Sequence, residues 1–404
     1  MDKQLEHKSL PWWQLLLYFL MISLTFIATP KSGWAYIATR GIQMIECLFL
    51  GVLLIANFKQ GIRFNKFNII VNLWWIIYTV LAYMNITHQV GLTPIFKWMN
   101  IIIFLLLGSC YWQHNLQESL RYITISFSIL IYLNVILLIL FPDGLWIDPE
   151  WTGRGSSTRH LFGNYNQIGF VCLLGITAQA LYTFSSHKGK FNLFLLTAAS
   201  IFSVVFVGSM TSAVSLSLFA IFLLFHKIIK HPKRLLTCFL ICYVTFFTLI
   251  VWHGYSIDEV SLATRFIEGT LSKDTSFSNR TIIWENAVEL IKQSPWIGYG
   301  IQNVDWNDAY LGGSGSHNIW LMLLLQGGII ICFTFIGITF FSIKRALKTP
   351  SAITTLAVIA LYILFIMSLF ETYYIAQIFL LLQFIYYSPL IVQEKENNQS
   401  IQIT

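Results

Sequence analysis

Residues 122–141 read YITISFSILIYLNVILLILF, a run of twenty without a charged side chain. Wound as an α-helix at 1.5 Å per residue, it is about 30 Å long, the thickness of a bilayer's hydrocarbon core. Similar runs recur on both sides of it, near 11–28, 38–56, 67–84, 94–111, 166–184, 191–207, 211–229, 235–252, 318–343, 352–370 and 374–391. Asn72 interrupts the 67–84 run, and Thr93-Pro94 stands at the head of 94–111, so their limits are the least regular. The first run follows a polar segment and precedes many others, which marks it as a span and not as a cleaved signal peptide.

Bulk composition agrees. Hydrophobic residues are 56% of the 404 and charged residues 11%, where a soluble domain carries about a quarter charged. The expected fold is an all-α membrane protein of about twelve transmembrane helices, with a large outer loop containing short helices. With the N-terminus inside, basic clusters at 59–66, 188–190, 227–234 and 344–348 fall in inner connections. About sixteen basic residues then lie inside and about nine outside, with both termini in the cytoplasm. The net charge of +7 reflects this anchoring and calls for no nucleic-acid partner. The expected organisation is 1–252 as nine spans with an outer loop at 142–165, 253–316 as the large outer loop, 317–391 as three spans and 392–404 as a cytoplasmic tail. All six cysteines fall inside expected spans, in neither a metal-ligand nor a disulfide context, and read as packing residues.

Chemistry is sought in the two long outward loops. The first contains WTGRGSSTRHLFGNYNQIGF, residues 151–170. Its Arg154 and Arg159 read either as interfacial side chains reaching lipid phosphates or as part of an anion site, and Asn164 or Asn166 is a possible cap for the next span. The second contains SNRTIIWENAVELIKQSPWIGYG, residues 278–300. Ile283, Ala287, Leu290 and Ile291 recur at helical spacing opposite Glu285, Glu289 and Lys292, which predicts a short amphipathic helix capped by Ser278 or Asn279. Arg280 then lies in the first turn, where the macrodipole disfavours a cation unless an anion shares the site; the alternative is a solvated arginine.

Just beyond, GGSGSHNIWLMLLLQGG, residues 312–328, sets His317 between glycines and an apolar run. Ser316 or Ser314 as cap would place it at a helix N-terminus, where the dipole favours neutral imidazole able to take a proton or orient a hydroxyl. An interfacial anchor is the alternative reading. Within the spans Glu46 is the clearest ionisable group, a functional candidate by default. No nucleotide-binding, zinc or paired-carboxylate motif is present, and no cofactor or metal is expected.

Together, SNRTIIWENAVELIKQSPWIGYG, SHNIWLMLLLQGG and the earlier RHLFGNYNQIGF resemble the bacterial O-antigen polymerase and O-antigen ligase superfamily of polytopic membrane glycosyltransferases. The local motifs cover about 60 residues, in an order and topology that also agree. One stretch departs: VGSMTSAVSL, residues 207–216, has Met210 and Thr211 where that family often carries a basic residue. The resemblance implies transfer of a glycan from an undecaprenyl-diphosphate carrier to an acceptor hydroxyl on the outer face of the bacterial cytoplasmic membrane, with inversion and without a metal. It implies His317 and Arg280 as catalytic residues. Arg159, Arg154 and Arg265 would hold diphosphate, supported by Asn318 as a hydrogen-bonding neighbour, Trp284 as a sugar-stacking ring and Glu371 as an outer acid. Glycines around His317 would let the loop close over its substrates. The acceptor is a lipid-linked repeat unit for a polymerase and lipid A-core for a ligase; the short segment between Gly300 and His317 looks more like polymerases. An exporter of lipid-linked sugars would need polar groups within the spans, commonly in internal repeats, and no convincing repeat is found.

Overall fold

The computed structural model describes residues 12–30, 33–58, 65–84, 99, 101–103, 105–109, 112, 116–148, 158–226, 232–253 and 280–401. These are mostly helical. The helices are α1 (Trp12–Phe26), α2 (Gly33–Phe58), α3 (Lys66–Met84), α4 (Leu116–Leu140), α5 (Tyr165–Ser186), α6 (Lys190–Phe206), α7 (Met210–Leu224) and α8 (Pro232–Phe246), the last continued by a π turn over Phe247–Trp252. There follow α9 (Arg280–Gln293), α10 (Val304–Leu311), α11 (Ile319–Ala346), α12 (Ala352–Ser368) and α13 (Ile375–Ile401). Two short strands, β1 (Trp146–Ile147) and β2 (Thr158–Arg159), pair antiparallel with Trp146 opposite Arg159.

Six described helices are long and apolar enough to cross a membrane by length and composition: Lys66–Tyr83, Leu116–Leu140, Tyr165–Ser186, Lys233–Trp252, Ile319–Ala346 and Ile375–Glu396. Four shorter apolar helices, Gln14–Phe26, Lys190–Phe206, Met210–Leu224 and Ala352–Ser368, accompany them. The expected twelve is therefore met in kind, and the count itself stays at these six among the described residues. Shortness has a local cause at α6 and α7, which are separated by the turn at Val207-Gly208.

The core forms around α5 and the apolar first five turns of α13, which their neighbours enclose, as helices apolar all round must be. Several polar side chains bond across helices. Asn192 on α6 accepts from Tyr132 Oη of α4 at 2.7 Å and donates to Gln179 Oε1 of α5 at 2.6 Å and to Ser128 Oγ at 3.2 Å. Such satisfied networks hold helices together where water is not available as a partner. Cys172 and Cys332 are buried as packing residues, whereas Cys238 and Cys242 lie exposed on α8.

Candidate functional site

Five segments distant in sequence meet around one carboxylate. Glu371 sits in the short link between α12 and α13 and is buried. Its Oε1 accepts from Arg280 Nη2, in the first turn of α9, and from Asn166 Nδ2, in the first turn of α5. Its Oε2 lies 3.6 Å from Nδ1 of the half-buried His317, an atom that is itself buried and has no hydrogen-bond partner among the described residues. Asn166 Oδ1 in turn lies 3.1 Å from Ser209 Oγ in the α6–α7 turn, itself 3.0 Å from Ser212 Oγ. This is the stretch that departs from the family pattern, and its serine hydroxyls complete the network where a basic residue was looked for.

Local sequence explains how each arrives. Asn164, one of two candidate caps, is the N-cap of α5, its Oδ1 accepting from Gln167 N at 3.0 Å. That frees Asn166, two residues on, to reach Glu371. Gly169 is required one turn later, because a Cβ there would fall 2.3 Å from Ser212 Oγ. The expected cap of α11 is corrected. Neither Ser314 nor Ser316 caps it; Asn318 does, accepting from Trp320 N at 2.9 Å and Leu321 N at 3.2 Å while donating to Leu369 O at 3.1 Å. Fully buried and committed to these bonds, Asn318 has a structural task and no face for a substrate. His317 consequently stands before the helix, with φ +48°, a left-handed value uncommon outside glycine. Such backbone persists where surrounding contacts over-determine it, and it clusters at functional sites.

The glycines expected to act as hinges are places of close approach. At Gly328 (φ +63°) helix α11 is broken, and the PWIGY segment after α9 fills the break. Tyr299 N donates to Leu325 O at 2.6 Å, and Ile329 N donates to Pro295 O at 2.8 Å. Ten residues into α11 this docking lies about 15 Å along the helix from Asn318, so part of the loop expected at the surface packs deep against a span. Irregular backbone at such depth stands only where its polar groups are met, as they are here. A Cβ at Gly328 would fall 2.2 Å from Trp296 carbonyl atoms, and one at Gly298 2.4 Å from Leu325 O. Gly328→Ala is expected to cost about 1–3 kcal/mol for a backbone conformation that glycine alone adopts readily and about 1–3 kcal/mol more for overpacking. Thermal unfolding in detergent measures it, and a melting temperature unchanged from wild type would refute the close approach.

α9 itself is amphipathic as expected, burying Ile283, Trp284, Ala287, Val288 and Ile291 and exposing Glu285, Glu289 and Lys292. Trp284 is 1% exposed, tilted against Phe370, and offers no free face for a sugar to stack on. Its expected capping residues, Ser278 and Asn279, lie outside the described residues, as do Arg154 and Arg265.

Beside the network opens a cavity of about 540 Å³. The first loop supplies Asp148, Arg159, Gly163 and Asn164, and the second supplies Ile301, Gln302 and Ser314, so the two loops meet in one space. Arg159 is not an open lipid anchor: its Nη2 bridges Asp148 Oδ2 at 3.1 Å. Tyr373 and Tyr374, next to Glu371, form part of the wall. Burial first, then the Glu371 charge, holds the Tyr373 phenol above its ordinary range, with Arg280 and a hydrogen bond with Ser212 acting against them. It therefore stays a protonated donor at neutral pH.

Residues 194–336 match the family model described as O-Antigen ligase. The match covers about a third of the chain and supports a place in the O-antigen polymerase and ligase superfamily. No curated protein matches the chain. Members of that superfamily are glycosyltransferase-like membrane enzymes for which lipid-linked glycans are the implied substrates, and the apolar helices here suggest an integral membrane protein. The O-antigen ligase segment contains Ser209, Arg280, Gly298, His317 and Gly328 but stops short of Glu371, and Asn166 and Arg159 precede it. Residues from outside the matched segment thus complete the site.

Chemically, the cluster joins an imidazole, a carboxylate and a guanidinium at one end of the helical bundle. An imidazole backed by a carboxylate suits proton transfer from a hydroxyl. A guanidinium whose fork is only partly occupied suits an anion. Sequence reasoning had named Glu371 but missed Ser209, Tyr373 and Asp148. Only the Asp148–Arg159 pair, eleven residues apart across a hairpin, left a local signal.

Proposed function

We propose that the protein is a polysaccharide polymerase that transfers a glycan from an undecaprenyl-diphosphate carrier to the hydroxyl of a lipid-linked repeat unit, on the outer face of the bacterial cytoplasmic membrane. The observation that carries this reading is the shared contact of Arg280 and His317 with Glu371, within a chain of this superfamily. His317 receives the acceptor proton as the acceptor oxygen attacks the anomeric carbon. The bond from that carbon to the diphosphate oxygen breaks, and its electron pair leaves with the diphosphate. Arg280 faces that growing negative charge, and such donors are worth about 10²–10³ in rate. Glu371 holds both partners in place. Attack opposite the leaving group inverts the anomeric centre. Cations of the protein serve the role that a metal fills elsewhere, so transfer proceeds without one.

The match to an O-antigen ligase model favours a second reading, a ligase that delivers the same kind of donor glycan to lipid A-core. One reconstitution separates them. Protein in liposomes receives a synthetic polyprenyl-diphosphate oligosaccharide as sole substrate, in EDTA. The expected result is a ladder of longer lipid-linked glycans. Product only after lipid A-core is added makes the protein a ligase. No glycosidic bond with either acceptor, from folded protein and several repeat units, overturns both and leaves an exporter. A ladder that EDTA abolishes and magnesium restores overturns the metal-free step.

A further inference from the structure

Helix α2 lies outside the matched segment and contributes nothing to the Glu371 cluster, yet it enters the same cavity. Most of its surface is apolar and exposed, with Trp34, Ile37, Ile45 and Leu48 outward. Its polar residues Arg40, Gln43 and Glu46 recur at three-residue intervals and so share one face, on which Gln43 and Glu46 are buried. At the cavity end of that face stands Arg40, which lines the cavity together with Arg159.

The two arginines differ in their commitments. Arg159 is bound to Asp148. Arg40 donates from Nη1 to Gln43 Oε1 at 2.7 Å and stacks over the Tyr36 ring at 5.0 Å, and among the described residues no carboxylate pairs with it. Glu46 is about 9 Å further along the helix axis. Arg40 Nε is buried and has no hydrogen-bond partner among the described residues. Leaving a charged donor buried and unmet is costly, and native structures keep such groups for a reason. Arg280 is likewise matched by Glu371. Among the described residues lining the cavity, two guanidiniums thus face one carboxylate, and the excess positive charge is that of Arg40.

We infer that Arg40 is a specificity-determining anion contact: its guanidinium holds the second phosphate of a prenyl diphosphate and sets the preference for a diphosphate over a monophosphate carrier. This rests on the donor reading above and deepens it. The physical basis is charge and shape. A planar fork meets phosphate oxygens through two parallel hydrogen bonds, and the cavity sets apolar Phe26 and Phe170 beside Arg40 and Gln302, as an amphiphile requires.

The test uses the full chain in phosphatidylcholine nanodiscs and reads binding, so it stands or falls apart from transfer activity. Geranylgeranyl diphosphate, geranylgeranyl monophosphate and geranylgeraniol are the probes, on wild type and Arg40→Gln. Wild type is expected to bind the diphosphate at least about tenfold more tightly than the monophosphate, the value of one charged hydrogen bond. Arg40→Gln is expected to bind the two alike, with geranylgeraniol binding unchanged. A wild type without that preference, or a variant that retains it, overturns the assignment. Inorganic diphosphate should compete more weakly than the prenyl form; equal competition overturns the lipid carrier as the ligand. Should Arg40→Gln not fold, phenylglyoxal labelling of wild type decides. The Arg40 peptide should be protected by the diphosphate and less by the monophosphate, and equal labelling refutes the contact.

Discussion

Replacing His317 by alanine is expected to lower glycan transfer by about 10²–10⁴-fold, the usual contribution of a positioned acid–base group. Nδ1 lies 3.6 Å from Glu371 Oε2, just beyond hydrogen-bond range. Catalytic hydrogen bonds are often long before substrate binds, and a small approach joins them. With Nδ1–H donated to the carboxylate, Nε2 is the basic nitrogen presented to an acceptor hydroxyl. The charge that the ring acquires with the proton is offset by Glu371. Because His317 has φ +48°, alanine also strains the backbone, whereas asparagine tolerates that conformation. Asn is therefore the cleaner variant: His317→Asn should keep the wild-type melting temperature and still lose transfer. Full activity in His317→Asn would remove the histidine from the mechanism.

The second large effect is at Glu371. Glu371→Ala leaves the Arg280 guanidinium, which is only 17% exposed, without its partner. Breaking such a pair costs about 3–5 kcal/mol, enough to confuse activity with folding. Glu371→Gln keeps the shape and an acceptor for Arg280, but it removes the charge that orients and supports His317. Loss of an orienting carboxylate behind a histidine costs on the order of 10⁴ where it has been studied, and a fall in kcat of about 10²–10⁴ is expected here. The effects on kcat and KM should separate. With the carboxylate charge gone the site around Arg280 is net positive, so KM for the diphosphate donor should hold or fall while kcat collapses. A rise in KM with kcat intact would show that Glu371 shapes the donor site and takes no part in proton transfer.

How much of this was readable beforehand depends on the range of each interaction. The apolar runs and the amphipathic pattern of α9 are local, and both are found where periodicity puts them. Caps are nearly local: Asn164 was one of two candidates, while at α11 the serines were preferred and Asn318 does the work. Glycines misled the reading. A glycine in sequence signals permissive backbone, and nothing in QGG tells a hinge from a docking point. The reason for Gly328 is Trp296, thirty-two residues earlier in the chain.

The site shows the same division. Arg280 and His317 stood out because each was expected at a helix N-terminus, a cation set against the macrodipole in one case and an imidazole kept neutral by it in the other. Their common partner did not, since Arg280 and Glu371 are 91 residues apart and Asn166 and Glu371 are 205 apart. Arg40 passed unnoticed, for one arginine in a span reads as an anchor until the cavity it faces is known.

By itself the sequence determined that the chain is a helical membrane protein and which polar residues stand at its span ends, because burial of apolar surface and helical period are written residue by residue. Only the tertiary structure decided which of those residues share a carboxylate, which are spent on capping and which arginine keeps its charge free. Those outcomes depend on distances of a few ångströms between segments far apart in the chain, where hydrogen-bond geometry leaves no tolerance.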